Sequence, residues 1–370
     1  MDNCATMAAR GGDAVGLDGN ASSLHGSGHR ARLAVEVARG QVAGLIGAEA
    51  SEIVFSSGGT EGNNTIIGMI NEGEMVASAV EHPSVLEVAR RQERRGVKVH
   101  YLPVDGGGRV RMEELERVLS KRTRLVSVML ANNEIGTLQD VAKIAKMAHE
   151  VGALVHTDAV QAVGKVPVDV KKLGVDYMTL SAHKIGGPKG VGAVYVRMGV
   201  EYEPLLVGGH QEDGRRAGTY NAPGIVGFGA AAEAAGGEIA LYDERVRLVR
   251  DRLRERIVAE IDNVVVNGDQ TEILPHVLNV SFAGAEGESI LLMLDEVGVE
   301  VSTGSACASG DARPSHVLMA IEADPELAHG SIRFSLSLEN TMDDVEYVMK
   351  YLPGIVKKLR AISTIGGRYE

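Results

Sequence analysis

The 370 residues contain no tryptophan, and aromatic residues make up only 4% of the chain. Stacking platforms for single-stranded nucleic acid are therefore scarce. Positive charge is short as well: 38 Lys and Arg stand against 50 Asp and Glu, a net charge of −12. A nucleic-acid binder normally carries a basic face, so that class is excluded. No run of eighteen apolar residues occurs, and no membrane-spanning segment is expected. Met1-Asp2-Asn3-Cys4 is not a basic stretch leading into an apolar one, so no signal peptide is expected and the location reads as cytoplasmic. Cysteine is nearly missing too. Cys4 and Cys307 have no metal-ligand spacing and read as free thiols, not as a disulfide framework.

Glycine, by contrast, is abundant, with 46 residues clustered at the ends of short apolar runs. These runs are Glu52–Ser56, Met75–Val80, Val97–Leu102, Arg124–Leu130, Ala153–Thr157, Tyr177–Ser181 and Gly192–Val196. Most lack polar alternation, the pattern of strands covered on both faces. Helix-length segments such as Pro83–Arg95, Met112–Leu119 and Val141–Val151 lie between them. The fold class is thus α/β, with a mostly parallel central sheet in a large domain over residues 16–262. A helical segment from Ile225 to Ile261 is expected to break or kink at Gly236-Gly237. Beyond Asn267-Gly268 the pattern changes. His276–Phe282 and Ser331–Ser337 read as half-buried strands, with helices near Ser289–Glu296 and Met342–Arg360. Residues 1–15 and 263–370 are assigned to a smaller α+β domain.

Ligands of an open α/β sheet sit at the carboxyl ends of its strands, and here those positions are polar. Ser57-Gly58-Gly59-Thr60 enters a helix and offers backbone N–H groups and a hydroxyl to a phosphate, unless it is simply a helix cap. His82 follows the next strand, either as a loop residue or as a ring-stacking imidazole. Asn132-Asn133-Glu134 follows another. Asp158 and Gln161 end a buried strand, where an acid needs a cation or a protonated ring nitrogen, or else caps the residues that follow. Ser181-Ala182-His183-Lys184 ends the next, and a desolvated lysine there forms a Schiff base with an aldehyde, whereas most lysines are surface charges. Together, a lysine, an acid, a histidine and a phosphate cradle form the inventory that pyridoxal 5′-phosphate requires. Cys307 lies in a run of small polar residues, Ser302 to Gly310, a setting for a mobile thiolate or for an incidental thiol. Arg333, within a strand, is either a two-point clamp for a carboxylate or an exposed arginine.

Ser57–Asn64, Ala131–Thr137, Ser181–Lys184 and Gly304–Cys307, in this order, resemble the cysteine desulfurases of the NifS/IscS kind, class V (fold type I) pyridoxal-phosphate enzymes. The resemblance runs from Asn20 to about Arg360. It implies Lys184 as the Schiff-base lysine, Asp158 as partner of the pyridine nitrogen, Gln161 as ligand of the phenolic oxygen and His82 as the stacked imidazole. It also implies Gly59, Thr60, Ser181 and His183 around the phosphate, with Thr219 donated by a neighbouring subunit of a homodimer. Asn133 and Arg333 would hold the substrate carboxylate, and Cys307 would accept the sulfur of L-cysteine for an iron–sulfur scaffold or another acceptor protein. No metal, nucleic acid or membrane enters this reading. A selenocysteine lyase or a class V aminotransferase on the same fold are the alternatives, and a non-catalytic assembly partner is disfavoured by Lys184. Against the family pattern, the stretch from Asp2 to Asn20 is short, Ala21 stands for a proline, and Ser337-Leu338 for a Gly-Arg pair.

Overall fold

The apolar runs condense into a seven-stranded sheet in this computed structural model, which describes residues 19–303 and 314–362. Its strands are β1 (Ile53–Ser56), β2 (Glu74–Ser78), β3 (Lys98–Leu102), β4 (Thr123–Ser127), β5 (Leu154–Asp158), β6 (Tyr177–Ser181) and β7 (Gly192–Val196). Their order is β1-β7-β6-β5-β4-β2-β3. Pairing is parallel from β3 through β6, while β7 lies antiparallel to both β6 and β1. As a result β1 runs with β6, and the carboxyl ends of β1, β2, β4, β5 and β6 open on one edge. Every residue of β1, β2, β6 and β7 is buried, as continuous apolar runs require.

Helices cover both faces. They are α1 (Gly26–Leu45), α2 (Gly59–Gly68), α3 (Pro83–Glu93), α4 (Met112–Val118), α5 (Val141–Glu150), the single turn α6 (Val170–Leu173) and α7 (Ala222–Leu241). α2 and α3 close one face through Ile66, Ile67, Val85 and Val88. α1, α5 and α7 close the other through Val35, Ala38, Ile144, Phe228 and Ala232. The His25 ring caps α1 by accepting from the Gly28 N–H at 3.3 Å. Buried Arg39 on α1 donates from both terminal nitrogens to Glu212, 2.7 Å each, and Glu212 also accepts from the Phe55 N–H of β1 at 2.8 Å.

α7 passes through Gly236-Gly237 without a break, contrary to the expected kink there. The irregularity falls further on, as a π-turn at Tyr242–Val246, before α8 (Arg247–Glu260) continues the same rod. Packing of α7 against α1 offsets the roughly 1 kcal/mol that each mid-helix glycine costs. The joined helix Ala222–Glu260 is long and apolar enough by composition to cross a membrane, but its residues Ile225, Phe228, Ala231, Ala232 and Ala235 are core residues of the large sheet's packing.

A second, four-stranded antiparallel sheet follows, in the order β10-β11-β9-β8, from β8 (Val264–Asn267), β9 (Val277–Phe282), β10 (Ser302–Thr303) and β11 (Ser331–Ser335). It packs with α8, α9 (Gly287–Asp295) and α12 (Met342–Ile362), while the short α10 (His316–Ala320) and α11 (Pro325–His329) precede β11. β9 and β11 are buried throughout, not half-buried as their alternation suggested. Leu278, Val280, Phe282, Ile332 and Phe334 fill the small core. The polar residues on the other side, Asn279, Ser281, Ser331, Arg333 and Ser335, are buried as well, and a loop of the large sheet holds two of them. Asn279 donates to the Glu134 carbonyl at 3.2 Å, and Arg333 to the Asn133 carbonyl at 2.9 Å.

Candidate active site

At the polar edge of the large sheet the strand-end residues converge on a cavity of about 340 Å³. Gly59, Thr60, His82, Asn133, Asp158, Gln161, Ser181, His183, Lys184 and Arg333, each singled out in the sequence, line it together with Ser84, Met129 and Val160. Its volume suits a small aromatic ligand. Two of the residues named in the sequence stand apart. Thr219 is exposed in the segment before α7 and does not line the cavity. Cys307 lies outside the described residues, as does Cys4.

Each wall has a local cause. β1 ends at Ser56, and the chain turns at Gly58 (φ +152°) into α2, which begins without a side-chain cap. A Cβ on Gly192 would lie 2.7 Å from the Gly58 Cα, so the turn is pressed against β7 and its first amides are left for a ligand. Asp158 closes β5. Its carboxylate accepts from the Asn63 amide at 2.7 Å and from the Val160 N–H at 3.0 Å, so it caps the following turn and also faces the cavity as an anion held by neutral donors. His82 caps α3 through Nδ1, which accepts from the Ser84 N–H at 3.1 Å. Burial pushes its imidazole below the ordinary value, and the charges of Lys184 and His316 add to this while Asp158 opposes it. The shift favours the neutral ring, which is suited to stacking or to taking a proton. Lys184 sits in the 3₁₀ turn Ala182–Ile185 after β6. Beside it burial, then the charges of Lys184 and Lys189, bring His183 down to about 4.

The small sheet supplies the remaining wall. Arg333 reaches the cavity from the polar side of β11. Behind it stands Glu134, whose carboxylate accepts from the Ser315 hydroxyl; burial pushes that acid up to about 7 against the pull of Ser315 and Arg333. Ser315 in turn caps α10, and on the other side Ser302 of β10 pairs directly with Arg333. The described chain on either side of residues 304–313 is thus fastened next to Arg333.

Several contributors have no role that the sequence assigns to them. Asn63, within the glycine-rich turn, acts as the amide that holds Asp158. Ser84 joins Asn63 to His82, at 2.8 Å from each. Glu81 is fully buried, accepts from Ser78 and from the Met129 N–H at 2.7 Å, and is pushed up to about 8 by burial, with a smaller contribution from Asp158. Glu61 and Arg216, paired at 2.9 Å, tie the segment bearing Thr219 to the first turn of α2. Their charge complementarity across more than a hundred residues is invisible in the sequence.

The donor set fits pyridoxal phosphate: an uncapped helix start with two hydroxyls, an anion on neutral donors, a neutral imidazole and a primary amine around one cavity. The profile of the family described as "Aminotransferase class-V" matches residues 15–348. The chain belongs to the class-V aminotransferase family. Among its relatives, a "Cysteine desulfurase" of Gluconacetobacter diazotrophicus is 49% identical over 352 residues, covering 93% of this chain and 88% of that protein. A "Cysteine desulfurase IscS" of Dictyoglomus turgidum is 48% identical over 351 residues, covering 93% and 89%. Among solved structures, a "NIFS-LIKE PROTEIN" superposes with a TM-score of 0.88 at 37% identity, covering 96% of this chain and 98% of that one. Class-V family membership brings with it dependence on pyridoxal phosphate, and the fold is that of the fold type I enzymes.

Proposed function

We propose that this class-V family member is a cysteine desulfurase, which converts L-cysteine to L-alanine and passes the sulfur to Cys307 as a persulfide. The reading is supported above all by one observation: Lys184, Asp158, His82 and Arg333, drawn from two sheets, line a single cavity. When bound, pyridoxal phosphate supplies an aldehyde for an amine and a ring that takes up electron density released at the substrate carbon. Lys184 would hold the cofactor through its Nζ, and the same atom would carry protons during turnover. The Asp158 carboxylate would keep a proton on the ring nitrogen, Gln161 would bond the phenolic oxygen, and His82 would stack on the ring. Gly59, Thr60, Ser181 and His183 would hold the phosphate. The Arg333 guanidinium and the Asn133 amide bind the substrate carboxylate in two-point fashion. The Cys307 thiolate then attacks the cysteine sulfur: an S–S bond forms, the C–S bond breaks, and the carbon takes a proton to become alanine.

This reading includes a homodimer in which Thr219 of each subunit completes the phosphate site of the other. It also includes a cytoplasmic location, and an iron–sulfur scaffold or other sulfur carrier as acceptor. We assign residues 16–262 to the large domain and 1–15 with 263–370 to the small one. The test is a spectrum of the purified protein with pyridoxal phosphate, followed by L-cysteine together with a dithiol reductant, which frees the persulfide sulfur as sulfide, and joint assay of alanine and sulfide. A visible band lost in Lys184→Ala, with equal alanine and sulfide in the parent, is the expected result. A protein that stays colourless sinks the assignment, and a Cys307→Ala variant releasing sulfide at the parental rate sinks the role of Cys307.

A further inference from the structure

Lys165 lies between β5 and α6, is only 4% exposed, and takes no part in the chemistry above. Its Nζ donates to the carbonyl oxygen of Lys184 at 3.0 Å and stands 4.7 Å from the centroid of the Tyr242 ring. Burying an ammonium is far less favourable than burying the same stem with an apolar end, so a position that served packing alone is better filled by methionine.

Three parts of the fold meet at this amine. One is the 3₁₀ turn that carries Lys184. Another is the π-turn beginning at Tyr242, and isolated π-turns within helices gather at functional sites. The third is the entrance to the small sheet, where the fully buried His276 ring meets Tyr242 edge-on with centroids 5.9 Å apart. Burial, then the charges of Lys165 and Arg250, hold His276 well below its ordinary value, so it adds no further positive charge. The backbone approach is equally tight. Gly164 has a left-handed φ of +74°, and a Cβ there would lie 2.8 Å from Ile185 Cγ2 and 3.0 Å from the Ala235 Cβ. Only glycine allows the chain to come so near, and the next residue is the one whose amine reaches back to Lys184.

We propose that Lys165 is a positioning residue for Lys184: its ammonium, held over the Tyr242 ring, fixes the Lys184 carbonyl and so the turn that presents the Lys184 side chain to the cavity. A charged donor grips a carbonyl more firmly than a neutral one, and the ring face steadies the same charge from the helix side. Fixing that peptide plane sets the direction of the Lys184 Cα–Cβ bond. This inference rests on Lys184 being the residue that holds the cofactor.

The test compares the full-length protein loaded with pyridoxal phosphate in the parent, Lys165→Met, Lys165→Arg and Tyr242→Leu. It reads the rate of cofactor release from the visible band, kcat and KM for L-cysteine, and the thermal midpoint of each cofactor-free protein. For Lys165→Met the expected result is an unchanged or higher midpoint, faster release, and kcat lower by about 10²-fold with KM nearly constant. Lys165→Arg, which keeps charge and donor, recovers most of both, and Tyr242→Leu falls between. Parental release and kcat in Lys165→Met overturn the proposal, as does equal damage in the Met and Arg variants at unchanged midpoints. Should Lys165→Met fail to fold, parental release in Tyr242→Leu overturns it. A parent with no visible band defeats the assignment of Lys184 itself, which separates that failure from this one.

Discussion

The two sheets use polarity in opposite ways. In the large sheet helices cover both faces, and the polar residues that line the cavity lie at strand ends, where Asp158, Ser181 and Lys184 emerge. In the small sheet one face is core and the other is polar, yet that polar face is buried too, against the loops of the large sheet. The large sheet therefore separates stability from function by position along the strand, and the small sheet separates them by side. Within β11, Phe334 and Arg333 are neighbours with unrelated tasks.

That contrast is broken most severely from the core side. Phe334→Ala lowers unfolding stability by about 4 kcal/mol, read from denaturant or thermal unfolding, while KM for cysteine stays close to the parent. Arg333→Lys does the reverse: the charge remains but the two-point geometry goes, so kcat/KM falls by roughly a hundredfold, about 3 kcal/mol, at an almost unchanged melting temperature. A loss shared equally between stability and kcat/KM in either variant removes the distinction between the two sides. Glu81 sharpens it within the large sheet. Its folded carboxyl is raised from the ordinary 4.5 to about 8, so the folded state keeps a proton that the unfolded chain gives up. Its contribution to stability is thus complete below about pH 4.5 and is lost as pH rises toward about 8. Glu81→Gln, which has no proton to lose, gains steadily on the parent as pH rises from 5 to 8 in parallel melts. The smallest effect belongs to the junction: Asn279→Ala gives up the bond to the Glu134 carbonyl and costs about 1 kcal/mol.

How far the sequence could be read follows the same division. Tyr177–Ser181 and Gly192–Val196 emerge with their expected limits because burial on both faces leaves unbroken apolar runs with glycine at the ends. α1 escaped notice: its glycines and weak apolar stripe look like loop, and it is packing on α7 and the Arg39–Glu212 pair that hold it. The Gly236-Gly237 expectation failed for the same reason, since a neighbouring helix overrode local propensity. Alternation in β9 and β11 marks two sides of a strand but does not say whether the polar side meets water, because nothing in a single strand says what will cover it. Lys184, Asp158 and His82 were legible as polar residues at the ends of apolar runs. Asn63, Ser84 and Glu81 were not, because each acts through a partner brought near only by folding.

The antiparallel insertion of β7 has a temporal meaning. Among the described strands β1 pairs with the sheet through β7, which lies well over a hundred residues downstream, so its place in the hydrogen-bonded sheet waits on that distant hairpin partner of β6. During synthesis β1 joins β6 through β7 by the longest loop closure within the sheet. A nascent chain halted before residue 192 owns most of the side chains that line the cavity, yet its first strand has no partner in the sheet.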